Sequence, residues 1–225
     1  MSMTWQDAAY EEGMEALYAE FKPQAIEEFT EERLQSYYVA NPNLAEDPVH
    51  FLSMARQLIS HSPTGSFIFA AIAVEVGLKV VLLKPVVYGL VHSESIAEMI
   101  ADLVVGSARF DNKFRNLLFG ILSEVGSIDL AKYKRPESLR TLWEEIKEIQ
   151  ERRNKIMHRA EIVVEEESHK ALSVATTILE ELFPLLIKRL GLHLHEGGRV
   201  CNDQHCNGKE ILEKLRLESE STNKV

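Results

Sequence analysis

Cysteine is the scarcest chemistry-bearing residue: two in 225 residues, Cys201 and Cys206, too few for a disulfide framework. No uncharged apolar run reaches the roughly 18 residues that a membrane span needs. The best stretch, Gly65 to Leu90, is interrupted by Glu75, Lys79 and Lys84. The N-terminus, Met1-Ser2-Met3-Thr4-Trp5-Gln6-Asp7, has neither the basic nor the apolar region of a secretory signal. These features predict a cytoplasmic protein without a membrane segment. Internal repeats at a solenoid period are lacking, as are low-complexity segments. Clean apolar–polar alternation over a strand length between turn residues is also lacking, which argues against a sheet.

Helical patterning fills the chain instead. With 45% hydrophobic and 27% charged residues, it has an ordinary globular composition. The expected helices run from about Gln6 to Phe21, from Pro23 to Val39, and onward from Pro48 after the Asn41-Pro42-Asn43 turn signal. Ser62-Pro63 combines an N-capping hydroxyl with a proline suited to a first helical turn. The helix it starts is apolar on nearly every face and belongs at the centre of a bundle, with Pro85 ending or kinking it. Ser93–Val105 and Asn112–Val125 read as two more helices, followed by a loop. Pro136 then opens a helix carrying Leu139, Leu142, Trp143, Ile146 and Ile149. A last long helix spans about Val164 to Leu190, with Gly191 as its stop. The fold expectation is all-α: an antiparallel bundle over residues 49–190, an N-terminal helical extension (1–48) and a Cys/His-containing tail (191–225).

The formal charge of −10 disfavours a general nucleic-acid binder, because phosphate contacts supply most nonspecific affinity. Basic residues nevertheless cluster from Lys132 to Arg140 and at Lys147, Arg152, Arg153, Lys155 and Arg159. Within that second cluster, Arg153-Asn154-Lys155-Ile156-Met157-His158 sets a permanent cation near a titratable imidazole, with a side-chain amide beside it. Such a pair can hold a phosphodiester and move a proton next to it. On a regular helix, positions five apart lie about 140° apart, so Arg153 and His158 meet only if the helix stops or distorts there. Basic groups in a last helical turn also suit the helix dipole, so a purely structural helix end has the same sequence signature.

The Arg153–His158 run resembles the Arg-polar-x3-His signature of the HEPN superfamily, helical proteins that often act as ribonucleases. The apolar helix Ala70–Lys79, with its lone Glu75 and Lys79, is similar to a second family feature. The resemblance implies an endoribonuclease that cuts RNA by 2′-hydroxyl attack, giving 2′,3′-cyclic phosphate and 5′-hydroxyl ends and requiring no cofactor. It implies His158 as acid or base, Arg153 as charge stabiliser, Asn154 as an orienting group, and a site in the cleft of a homodimer. Arg152, Lys155 and Arg159 would contact RNA. Glu75 would hold Arg153 or His158 in place, or pair with Lys79 one turn along. A toxin or antiviral effector of this kind would have an inhibitory or regulatory protein partner. One family branch carries Tyr two residues after the His; here that position is Ala160, and modification there is not expected. A noncatalytic dimerisation module and a nucleotide- or RNA-binding module are the competing readings.

In the tail, His193, His195, Cys201, His205 and Cys206 gather around Gly197-Gly198. These are the usual zinc ligands, and glycines let a chain turn around an ion. A zinc site here would be structural, with no open position; the competing reading is a polar tail with two ordinary thiols. The five-residue step from Cys201 to Cys206 is wider than in common zinc knuckles.

Overall fold

A computed structural model describes residues 31–106, 112–203 and 206, with residues 16, 19, 20 and 22 as isolated positions. The expected first helix and the start of the second fall mostly outside the described residues, as does His205. The described helices are α1 (Glu31–Ala40), α2 (Glu46–Leu58), α3 (Pro63–Val76), α4 (Lys84–Val91), α5 (Glu94–Gly106) and α6 (Asn112–Gly126). They continue with α7 (Leu142–Arg159), α8 (Glu165–Thr176) and α9 (Phe183–Arg189). A two-residue antiparallel pair, β1 (His193–Leu194) with β2 (Val200–Cys201), forms the described sheet. Among the described residues the protein is all-α apart from this hairpin.

The start of α3 follows its sequence signals. The Ser62 side chain accepts from the Gly65 N–H at 3.2 Å, and Pro63 stands in the first turn. Pro85 does not end the helix. Residues Gly77–Leu83 widen into a π-helical segment, and the backbone runs on into α4. Proline removes the N–H that would bond the carbonyl four residues back and crowds that carbonyl. Here the carbonyl is that of Val81, and the buried Tyr38 hydroxyl donates to it at 2.6 Å. Pro184 has the same context: the π segment Thr177–Leu182 precedes α9, so Glu165–Arg189 is also one continuous rod. The two π segments pack together at Gly77, where an added Cβ would lie 2.9 Å from a Leu179 methyl.

Direction is mixed rather than uniformly antiparallel. Chain neighbours α2 and α3 form an antiparallel hairpin, with Ser66 bonded to the Ala55 carbonyl and Phe51 stacked near Phe69. The α7–α8 pair is a second one, with Glu148 against Lys170 and Arg152 against Glu167. The two central rods run parallel, because Pro63 meets Ser168 at one end and Gly77 meets Leu179 at the other. Helices α2, α7 and α8 cover the first half of the central rod, while α1 and α5 cover the second.

By length and composition, the segment Pro63–Val91 would also cross a membrane; 61% of its most apolar 18-residue window is buried by the rest of the bundle, as in a core helix.

Helix α7 starts later than its proline suggested. Thr141 is the N-cap, accepting from the Glu144 N–H while the Glu144 carboxylate receives the Thr141 N–H at 2.8 Å. That reciprocal pair satisfies two otherwise orphaned donors and fixes the start. Pro136 to Arg140 forms turns and bends instead, leaving Leu139 96% exposed rather than on the apolar face.

Candidate functional site at the C-terminal end of α7

Helix α7 remains regular through Arg159 and is closed by Ala160 in the left-handed region, its N–H bonded to the Ile156 carbonyl. Within one chain, therefore, Arg153 and His158 point to different sides of the helix, as their five-residue spacing dictates. Asn154 and His158, four apart, share the outer face.

Arg153 turns inward and is anchored. One guanidinium nitrogen donates to the Glu75 carboxylate and another to Asn154 Oδ1 at 3.3 Å. The other oxygen of Glu75 accepts from Lys79 at 2.8 Å, and Lys79 also reaches Asp102 at 3.1 Å. Both sequence-level alternatives for Glu75 are thus realised: it bridges Lys79 and Arg153. A mostly buried carboxylate on an apolar helix has in this way acquired two cationic partners.

Arg152, expected to contact RNA, is held in a network of carboxylates and a backbone carbonyl. Its Nε donates to Glu167 at 2.8 Å, Nη2 donates to the Ile162 carbonyl at 2.9 Å, and Nη1 donates to Glu161. Glu167 also receives the Val164 N–H at the start of α8, so one carboxylate ties two helix ends together. Partial burial pushes the Glu167 pKa up, but Arg152 and the Val164 N–H outweigh it and hold that carboxyl below its usual range.

His158, Lys155 and Arg159 stay exposed, and none has a hydrogen-bond or ion-pair partner among the described residues. Around them the α7–α8 corner displays Met157 (66% exposed), Ile162 (83%) and Val164. The cationic surface is smaller than the sequence clusters suggest. Arg135 pairs with Glu145, Arg140 with Glu148, and Lys132 with Asp129, while Lys147 lies over the Trp143 ring. A cleft of about 320 Å³, lined by Phe67, Glu148, Arg152, Lys155, Glu167 and Lys170, carries charge of both signs.

The buried Arg135–Glu145 pair was missed at the sequence level. Two guanidinium nitrogens meet the two carboxylate oxygens at 2.9 and 2.7 Å, and Arg135 also donates to Ser173. Burial pushes the Glu145 carboxyl up, yet the Arg135 hydrogen bonds and charge win and hold it below the ordinary carboxylate range. The signal was present: Glu145 falls within the Leu142, Ile146, Ile149 stripe, where a charge requires a buried partner.

At the other end of the molecule, His193, His195, Cys201 and Cys206 are brought together, with one ligand atom of each lying within 4.8 Å of every other. This cluster could hold a metal ion.

The fold and these two sites define the class as an all-α bundle with a cationic helix end and an appended Cys/His hairpin. In comparisons with known proteins, no family model, curated protein or solved structure matches the chain.

Proposed function

We propose that the chain is a metal-independent endoribonuclease with a bundle of the HEPN type, working in the cytoplasm as a homodimer. The observation that carries this reading is the exposed His158 in the last turn of α7, without a partner among the described residues and flanked by Lys155 and Arg159, with Arg153 oriented by Glu75. In a single chain the helix spacing keeps the imidazole and guanidinium apart. The site is therefore shared: His158 of one protomer works beside Arg153 of the other. Exposed Met157, Ile162 and Val164 give that corner an apolar surface to join.

In this mechanism an imidazole takes the proton of the ribose 2′-hydroxyl as its oxygen attacks the adjacent phosphorus. The bond to the 5′-oxygen breaks, and a protonated imidazole supplies the proton that oxygen needs. Arg153 stabilises the charge accumulating on the nonbridging oxygens, using donors not taken by Glu75 and Asn154. Lys155 and Arg159 draw in neighbouring phosphates. An inhibitory or regulatory partner protein would cover the same face, as a toxin or antiviral setting requires.

The test is cleavage of total RNA in chelator, with circular dichroism establishing that the protein remains folded. The expected products carry 2′,3′-cyclic phosphate ends, and cleavage is lost in Arg153→Ala and in His158→Ala. Mixing the two inactive variants restores one intact shared site per heterodimer and part of the activity. Equal residual cleavage in both variants would identify a contaminant, and cleavage that needs a divalent metal would overturn the mechanism.

A second reading rests on the anchoring of Arg153 itself, which a helix-end ion pair explains without chemistry. It makes the protein a noncatalytic dimerisation or nucleotide- or RNA-binding module. Its signature is dimerisation or nucleotide-dependent thermal stabilisation with no RNA cleavage.

A further inference from the structure

The C-terminal hairpin is built around a common point. In the β1–β2 pair, His193 stands directly opposite Cys201, and His195 follows two residues on, its ring 5.2 Å from that of His193. Gly197 and Gly198 both have positive φ, at 83° and 88°, and they turn the chain back within a loop closed by the His195 N–H to Arg199 carbonyl bond. Beyond β2 a second turn, from the Cys206 N–H to the Asp203 carbonyl, returns Cys206 so that its sulfur lies 3.3 Å from His195 Nε2. The Asp203 N–H points at the Cys201 sulfur at 3.4 Å, an amide donor that favours a thiolate.

We propose that His193, His195, Cys201 and Cys206 form a structural zinc site. A tetrahedral ion with bonds of about 2.0–2.3 Å holds its ligand atoms about 3.3–3.8 Å apart, so a spread within 4.8 Å closes by small side-chain rotations. Two thiolates with two imidazoles suit zinc, whereas carboxylate and carbonyl oxygens would suit magnesium or calcium. Four protein ligands complete the coordination and leave no position for substrate or water, so the ion stabilises rather than catalyses. The five-residue cysteine step, wide for a knuckle, is no obstacle here, because the Cys206 N–H bonds the Asp203 carbonyl and the Cys206 sulfur reaches His195.

The anchoring of the hairpin defines what the ion stabilises. The Val200 N–H bonds the Pro42 carbonyl at 2.7 Å, and a Cβ on Gly198 would meet Ala45 and Val49 at 3.1 Å. Leu192 and Val200 are buried beneath. Zinc would therefore fasten the tail onto the turn between α1 and α2, joining the two ends of the described chain. This site is independent of the α7 chemistry.

The test uses the full chain, purified without a histidine tag from zinc-supplemented culture. One zinc per chain is expected by elemental analysis. Cobalt replacement is expected to give the visible absorption of a tetrahedral ion and a near-ultraviolet thiolate-to-metal band. Cys201→Ser, Cys206→Ser and His193→Ala should each lose most of the metal, and His205→Ala should keep it. Wild-type protein without stoichiometric metal and without the cobalt bands would overturn the proposal. So would full occupancy in the Cys201→Ser/Cys206→Ser double variant, or loss of metal in His205→Ala with retention in His193→Ala. Tetrahedral cobalt spectra lacking the thiolate band would likewise refute the ligand set.

Discussion

At its N-terminal end α7 has a reciprocal Thr141–Glu144 cap and, within its first turn, the enclosed Glu145 bonded to Arg135. At its C-terminal end the same helix leaves Lys155, His158 and Arg159 in solvent beside uncovered apolar side chains. One end places its charged groups against compensating partners inside the protein. The other leaves charge and imidazole available to something outside it. If the open end serves the proposed function, stability and recognition are divided along one helix, and substitutions at its two ends should separate them.

The largest effect is expected at the enclosed end. Arg135→Met leaves a buried carboxylate uncompensated and should cost about 3–5 kcal/mol in a denaturant titration. Adding Glu145→Leu should recover most of it, since a well-packed apolar pair often replaces a buried ion pair without loss. The pair also has a pH signature. A carboxyl whose folded-state pKa is depressed stabilises the fold above its unfolded value and loses that contribution as pH falls through the folded value. Glu145→Gln should therefore lose stability at neutral pH and show a shallower fall of unfolding free energy as pH drops below the ordinary carboxylate range.

At the open end, His158→Ala should lower RNA cleavage by about 10²- to 10⁴-fold, the usual worth of a positioned acid or base. Its stability should change by less than about 0.5 kcal/mol, as at other unpartnered surface positions. A large fall in melting temperature would show that the comparison between the two ends is wrong. Ile162→Asp sharpens it further: placed in the apolar corner, the new charge should shift sedimentation from dimer to monomer and reduce cleavage in parallel. A cleaving monomer would refute the shared site. The smallest effect belongs to the cap, where Thr141→Ala should cost about 1 kcal/mol without altering cleavage per folded molecule.

Local chemistry explains which features were legible in the sequence. Ser62-Pro63 and Gly191 act within one turn of the backbone, and the structure places helix boundaries at both. Pro136 misled because proline only permits a helix start, whereas Thr141 with Glu144 supplies the hydrogen bonds that make one. The Val81 carbonyl that Pro85 leaves without a helical donor is bonded by Tyr38, 43 positions before Val81, a contact that no local pattern contains. At the candidate site, the anchoring of Glu75 was readable from its apolar surroundings. Arg152 and Arg153, adjacent and chemically alike, received opposite surroundings only because α8 brings Glu167 to one and α3 brings Glu75 to the other. The tail's ligand types were readable, but their convergence came from two turns that composition does not specify.

The widened turn at Gly77–Leu83 carries a consequence for chain length. An i→i+5 segment stores slack, since it threads more residues through a turn than an α-helix uses. A one-residue deletion inside this interval could be taken up by tightening to α geometry, leaving everything downstream facing as before. The same deletion a few positions upstream in α3 would swing the rest of the rod by about 100°, carrying Val81 away from Tyr38 and Gly77 away from Leu179. The bundle thus has a short stretch of its axis where chain length is negotiable, set just beyond the carboxylate that holds Arg153.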